Sequence, residues 1–175
     1  MTEQQLRALI RDVPDYPRPG IMFKDITPLL GEPKSFRTAC EAMAVSFRKE
    51  RVTHVAAIES RGFLFGAPIA VDLEAAIVPI RKRGKLPYDS AFEEYELEYG
   101  TDALEMHVDA LPSGARVLIV DDVLATGGTA AAACRLVERL QGNVVGCSFL
   151  IHLAFLHGRE KLAGRNVSSV ISCED

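Results

Sequence analysis

Apolar positions along this chain repeat in two ways. Short unbroken apolar runs mark strands buried on both faces, and helical spacing marks helices packed on one side. The first kind covers Val52 to Ile58, Ala75 to Ile80, Arg116 to Val120 and Val144 to Ile151, with a last strand over Val167 to Ser172. The second begins at Pro33, which suits the first turn of a helix running to about Arg51. Phe36, Cys40, Met43 and Phe47 fall at helical spacing within it. Glu3 to Arg11 reads as a short helix, and Phe63 to Leu73 and Gly128 to Leu140 as two more. Val13 to Gly31 is rich in proline and glycine and reads as irregular. Arg81 to Tyr99 is a long polar insertion, with strands expected near Tyr95 to Tyr99 and Ala103 to Val108. Such an insertion exceeds ordinary connections and is the kind of loop that acts as a lid.

Strands that alternate with helices predict an α/β fold with a parallel, doubly wound sheet. At 175 residues one domain is expected, spanning 1–175. In such sheets ligands sit where strands end and helices begin. The run Val117 to Thr129 places two carboxylates, Asp121 and Asp122, at such a point. Carboxylates only accept hydrogen bonds, which suits sugar hydroxyls. The turn Ala125-Thr126-Gly127-Gly128-Thr129 follows. Its glycines allow close backbone approach, and its N–H groups and threonine hydroxyls suit phosphate. Together these read as a ribose-phosphate site. The competing phosphate-loop and dinucleotide glycine motifs are absent from the chain.

Two further segments fall on the same sheet edge. Glu59-Ser60-Arg61-Gly62-Phe63 follows the strand ending at Ile58, and Arg61 can fork onto a pyrophosphate. Arg81-Lys82-Arg83-Gly84-Lys85 sets four cations in five residues after Ile80, and a bound polyanion would relieve their repulsion.

Composition narrows the partners. A net charge of −4 argues against nucleic acid as the main partner. No apolar stretch approaches a membrane span, and the N-terminus lacks the order of a secretory signal. Cys40, Cys134, Cys147 and Cys173 are scattered and form no CxxC, which argues against a metal or disulfide framework and for a cytoplasmic location.

The Val117 to Thr129 segment resembles the phosphoribosyl pyrophosphate signature of the type I phosphoribosyltransferases. Three other segments are similar to the adenine-specific branch of that family. They are Ile58 to Pro68, Ile80 to Pro87 and Tyr95 to Gly100 with its Leu-Glu-Tyr-Gly core. A fourth, Asp15 to Ile26, resembles the hood that covers the base in that branch.

The resemblance implies a type I phosphoribosyltransferase-like fold, with helix and hood over about 1–31 and a basic arm and lid loop over about 81–108. It implies transfer of the phosphoribosyl group to adenine, giving AMP and pyrophosphate. Asp121 and Asp122 would hold the ribose hydroxyls, and Ala125, Thr126, Gly127, Gly128 and Thr129 the 5-phosphate. Ser60, Arg61, Arg81 and Lys85 would bind pyrophosphate, and the Ser60–Arg61 peptide would be a candidate cis bond. Met22 and Lys24 would bind the base, with lysine standing where many relatives carry arginine. Glu98 would manage the purine proton, with Tyr99 near the reaction centre, while Glu93, Glu94 and Glu96 would face water. Magnesium would enter on substrate oxygens, with no metal ligand from the protein itself. The basic arm would reach across a homodimer.

Two other readings are weighed. A 6-oxopurine or orotate enzyme is one, but Val144 to Ile151 carries no lysine to read a purine oxygen. A non-catalytic sensor of phosphoribosyl pyrophosphate is the other. It would need a further domain or an altered lid.

Overall fold

The computed structural model describes residues 1–96 and 100–174. A capping box between Thr2 and Gln5 starts helix α1, Glu3–Arg7. The predicted helix stops there. Arg11–Val13 (β1) instead pairs antiparallel with Phe23–Asp25 (β2), so ordered hairpin structure replaces part of the expected irregular stretch. A single turn of helix, Thr27–Leu30 (α2), precedes α3, Pro33–Val45, which starts on Pro33 as expected. It ends earlier than predicted, and Phe47 is buried from the turn that follows.

Strand β3, His54–Ile58, leads through α4, Gly62–Asp72, to β4, Ala76–Lys82. The polar insertion carries two strands, as expected, the second close to its expected place and the first starting five residues earlier. It forms an antiparallel hairpin of β5, Ser90–Glu96, and β6, Thr101–His107. Arg81 and Lys82 pair with β6 as well, so the hairpin extends the main sheet. Strand β7, Arg116–Leu124, is followed by α5, Gly128–Arg139, and β8, Asn143–Leu153. Two turns of 3-10 helix, Ala154–Leu156 and Gly158–Leu162, lead to β9, Val167–Cys173.

The seven-stranded order is β5-β6-β4-β3-β7-β8-β9. The five strands from β4 to β9 in that order run parallel, and β6 is antiparallel to β4. One face carries α5 and the inner side of the hairpin, including Leu104 and Met106. The other carries α1 to α4, including Leu29, Met43 and Phe65. Both faces are therefore covered, which is why the central strands are apolar without alternation. Successive strands leave β3 in opposite directions, to β4 on one side and β7 on the other. The crevice at that reversal is where this architecture binds ligands.

Helix α4 seats against β7 only because position 62 is glycine. A Cβ there would stand 2.9 Å from the Val120 carbonyl oxygen and 3.0 Å from Asp121 Oδ1.

Candidate active site

The acidic pair lies at the reversal point, but inside β7 rather than after it, since the strand continues to Leu124. Asp122 is buried and Asp121 half-buried. The Asp122 backbone N–H donates to Asp121 Oδ1 at 2.8 Å. Burial, and then the neighbouring Asp122 charge, push the Asp121 carboxyl well above its ordinary range. Burial also raises Asp122, against the pull of Arg61. Arg61 Nε stands 2.9 Å from Asp122 Oδ2, yet that oxygen receives no well-directed hydrogen bond. A buried acceptor left so is costly, and a sugar hydroxyl is the kind of donor it lacks.

The loop Ala125 to Thr129 turns sharply into α5. Gly127 has φ of +78°, and a Cβ there would meet the Gly158 carbonyl oxygen at 2.2 Å. The contact is reciprocal, because a Cβ at Gly158 would meet the Ala125 carbonyl oxygen at 2.0 Å. Gly158, after an unremarkable histidine, gives no sign of this in the sequence; only the fold brings it behind the loop. A small recess of 70 Å³ over the loop reaches from Asp121 to Ala130. It opens beside a larger cavity of 310 Å³ that Ser60, Arg61, Lys82, Tyr95, Asp122 and Thr129 help to line.

Ser60 and Arg61 thus converge with the acidic pair and the glycine loop. A cis peptide is present, one position earlier than expected, at Glu59–Ser60. Arg61 also lies over the Phe23 ring, 5.0 Å from its centroid, which ties the hood to this wall. Arg81 points at Glu59 instead of the cavity, with Nε and Nη2 at 3.3 and 3.2 Å from its carboxylate. Burial would raise Glu59, but the Lys82 N–H and Arg81 hold it below its ordinary range. The Lys85 N–H donates to the buried Glu105 carboxylate at 2.7 Å, and its carbonyl accepts from Arg81. The cation of the basic arm that lines the cavity is Lys82, which the sequence reading passed over. Its place on the edge of β4 follows from where pairing with β6 ends, and no local pattern announces that.

Of the base-site candidates, Met22 is exposed and Lys24 pairs with Asp12 Oδ1 at 2.9 Å. Phe23, between them, is the hood residue that touches the cavity wall. Glu98 and Tyr99 lie outside the described residues. Glu93 is not a free surface carboxylate, since it binds Arg135 Nε at 2.7 Å. Among the described residues no group of three or more His, Cys, Asp or Glu is placed to hold a metal, and all four cysteines are free and buried.

A family model described as a phosphoribosyl transferase domain matches residues 29–174. The adenine phosphoribosyltransferase of Myxococcus xanthus is 55% identical over 167 residues, covering 95% of this chain and 91% of its own. The chain belongs to the adenine phosphoribosyltransferase family. The enzyme of that family from Thermobifida fusca is 58% identical over 154 residues, 88% of each chain. The solved adenine phosphoribosyltransferase of Thermoanaerobacter pseudethanolicus superposes with a TM-score of 0.96 at 50% identity, covering 98% of this chain and all of that one. The Saccharomyces cerevisiae enzyme, solved with adenine and an imino-altritol bisphosphate, gives 0.90 at 39% identity, covering 96% and 97%. The family's mixed α/β fold with a mostly parallel sheet is the one described above, and it agrees with the fold read from the sequence.

Proposed function

We propose that this protein transfers the phosphoribosyl group of phosphoribosyl pyrophosphate to adenine, releasing pyrophosphate and forming AMP. One observation carries this most directly. An acidic pair on β7, one member buried and the other half-buried, runs into a glycine loop at the start of α5, with Arg61 and Lys82 across the same cavity. Adenine is the base of relatives at this level of identity, the yeast enzyme having been solved with it.

In this reading Asp121 and Asp122 accept from the ribose hydroxyls, which also lowers their raised pKa values on binding. The loop from Ala125 to Thr129 receives the 5-phosphate on its N–H groups. Charge grows on the leaving pyrophosphate in an oxocarbenium-like transition state. Arg61 and Lys82 are placed to bind that charge more tightly late than early. Arg81 would join them only after leaving Glu59, and Lys85 would offer its ammonium, since its bonds to Glu105 and Arg81 are made by its backbone. Met22 and Lys24 would offer contacts to the base from the hood, Glu98 would handle the purine proton, and Tyr99 would lie beside it.

Magnesium suits this donor set, because the acidic pair presents hard oxygens, one of them without a hydrogen-bond donor. It would be carried mainly by substrate oxygens and would supply charge neutralisation of the pyrophosphate. We also infer a homodimer, supported by exposed Leu64 and Val71 on α4 and Ile77 on β4. Free thiols throughout suit a reducing cytoplasm. No helix is long and apolar enough to cross a membrane.

The test is to incubate adenine, guanine, hypoxanthine and xanthine separately with phosphoribosyl pyrophosphate and magnesium, and to measure nucleotide. AMP alone is expected. Another nucleotide without AMP overturns the base assignment, and tight binding without any product overturns catalysis. Asp121→Asn with Asp122→Asn should abolish most turnover while the protein stays folded.

A further inference from the structure

The end of the β5–β6 hairpin nearest its turn holds a polar chain that none of these steps uses. Tyr95 and Asp102 are cross-strand partners in the hairpin. The Tyr95 hydroxyl donates to Asp102 Oδ2 at a long 3.3 Å, and Thr129 lines the same cavity as Tyr95. Asp102 Oδ1 accepts from the Ala103 N–H at 2.8 Å, and Oδ2 ion-pairs with Lys82 Nζ at 3.1 Å. Asp102 is therefore satisfied without the phenol.

The hairpin is pressed onto the phosphate loop at this point. A Cβ at Gly128 would stand 3.3 Å from the Glu96 carbonyl oxygen and 3.7 Å from the Tyr95 ring. Arg135 and Arg139 on α5 also bind the Glu94 and Phe92 carbonyls of β5. Tyr95 is buried, so its ring is fixed and only its hydroxyl proton turns freely.

We propose that Tyr95 is a positioning residue for the 5-phosphate. When phosphate fills the loop, the phenol proton turns from Asp102 to Thr129 Oγ1, and the Thr129 hydroxyl donates onward to a phosphate oxygen. The result is a directed chain, phenol to threonine to phosphate, in which each hydrogen bond polarises the next. Asp102 keeps the Ala103 N–H and stays open to solvent on one side, so the turn strands no buried charge. This rests on the assignment of residues 125–129 to the 5-phosphate.

The experiment is a double-mutant cycle of Tyr95→Phe and Thr129→Val, read as KM for phosphoribosyl pyrophosphate, KM for adenine and kcat. Tyr95→Phe removes only the hydroxyl. It should raise KM for phosphoribosyl pyrophosphate about three- to tenfold, the worth of roughly one hydrogen bond. KM for adenine and kcat should stay within about twofold. With valine at 129 the chain has no middle, so adding Tyr95→Phe should cost nothing further. Thr129→Ser should restore the response to Tyr95→Phe. The proposal falls if the two single effects multiply, or if Tyr95→Phe leaves KM for phosphoribosyl pyrophosphate unchanged. It also falls if both KM values rise together with a loss of thermal stability. The shift in melting midpoint on saturation with phosphoribosyl pyrophosphate reads the same coupling in any variant too weak for kinetics. A wild-type protein that makes AMP while Thr129→Val binds phosphoribosyl pyrophosphate normally would instead refute the loop assignment.

Discussion

Gly158→Ala tests the phosphate loop from behind, without replacing any residue of the loop itself. The added Cβ would stand 2.0 Å from the Ala125 carbonyl oxygen and 2.9 Å from the Gly127 nitrogen. Both are backbone atoms, so no side chain can swing aside. Reaching ordinary contact requires the loop and the 3-10 turn to part by roughly 1.4 Å. A loop N–H set about 2.9 Å from a phosphate oxygen then falls beyond hydrogen-bonding range. Losing two such bonds to a charged group, at about 1.5–3 kcal/mol each, removes about 3–6 kcal/mol. Part of the shift is taken up by the 3-10 turn, so a rise of about 100-fold in KM for phosphoribosyl pyrophosphate is expected. Overpacking also costs about 1–3 kcal/mol of stability, or roughly 2–12 °C of melting temperature at this size. The measurement is steady-state kinetics at saturating adenine, paired with a thermal scan. Gly164→Ala is the control. Its φ of +80° makes alanine strained, but a Cβ there meets nothing within 4 Å. It should lower stability and leave KM alone. A Gly158→Ala enzyme with KM within about threefold of wild type would refute the mechanical coupling.

Asp121→Asn should stabilise the ligand-free protein while lowering turnover. Folding raises the Asp121 pKa, so its cost is absent below the unfolded-state pKa near 3.9 and grows as pH rises through the folded value. The gain in melting temperature should therefore be largest near pH 8 and vanish near pH 4; a gain independent of pH would contradict it. Gly66→Ala should lose about 1–3 kcal/mol, because its Cβ would meet the Ala57 Cβ at 2.4 Å. Denaturant melts should show most of that loss recovered in the double variant with Ala57→Gly. Arg61→Lys keeps the charge but loses the planar fork and the face of Phe23, so pyrophosphate inhibition should weaken more than tenfold; equal inhibition would argue against a forked contact.

The central strands β3, β7 and β8 were legible because each is an apolar run covered on both faces, and the helices because apolar positions recur in them at helical spacing. The acidic pair and glycine loop were legible because their chemistry is local: acceptors and N–H donors adjoin along the chain. What failed to show was long-range. Arg81 and Lys82 are neighbours in sequence, and β pairing sends one to Glu59 and leaves the other on the cavity. The strands of the polar insertion were legible only in part, the first being placed too late in the chain, because they expose much of one side. Their inward positions, Ala91, Tyr95, Leu104 and Met106, are too few and too mixed to announce a sheet edge. Gly158 was invisible because nothing near it in sequence hints at a backbone approach from residue 125.

The site meets its substrate with its cations already engaged. Arg61 lies against Asp122, Arg81 against Glu59, and Lys82 against Asp102. Binding a pyrophosphate is therefore an exchange of carboxylate partners, and each exchange subtracts from affinity for the product as well as the substrate. Releasing Arg61 also opens Asp122, so the ribose acceptor becomes free as the leaving group is seized. Glu59→Gln tests whether this self-pairing governs product release. Glutamine keeps an acceptor for the Lys82 N–H at nearly the same volume but gives up the charge that holds Arg81. An Arg81 freed in this way should bind pyrophosphate about three- to tenfold more tightly, the worth of about one charged hydrogen bond. If product release limits turnover, kcat should fall in step, because the same bond must be broken before release. Product inhibition by pyrophosphate measures the first effect and a pre-steady-state burst of AMP the second. Weaker pyrophosphate inhibition in Glu59→Gln would show that Glu59 aims Arg81 at the anion instead of withholding it, and the exchange model would fail.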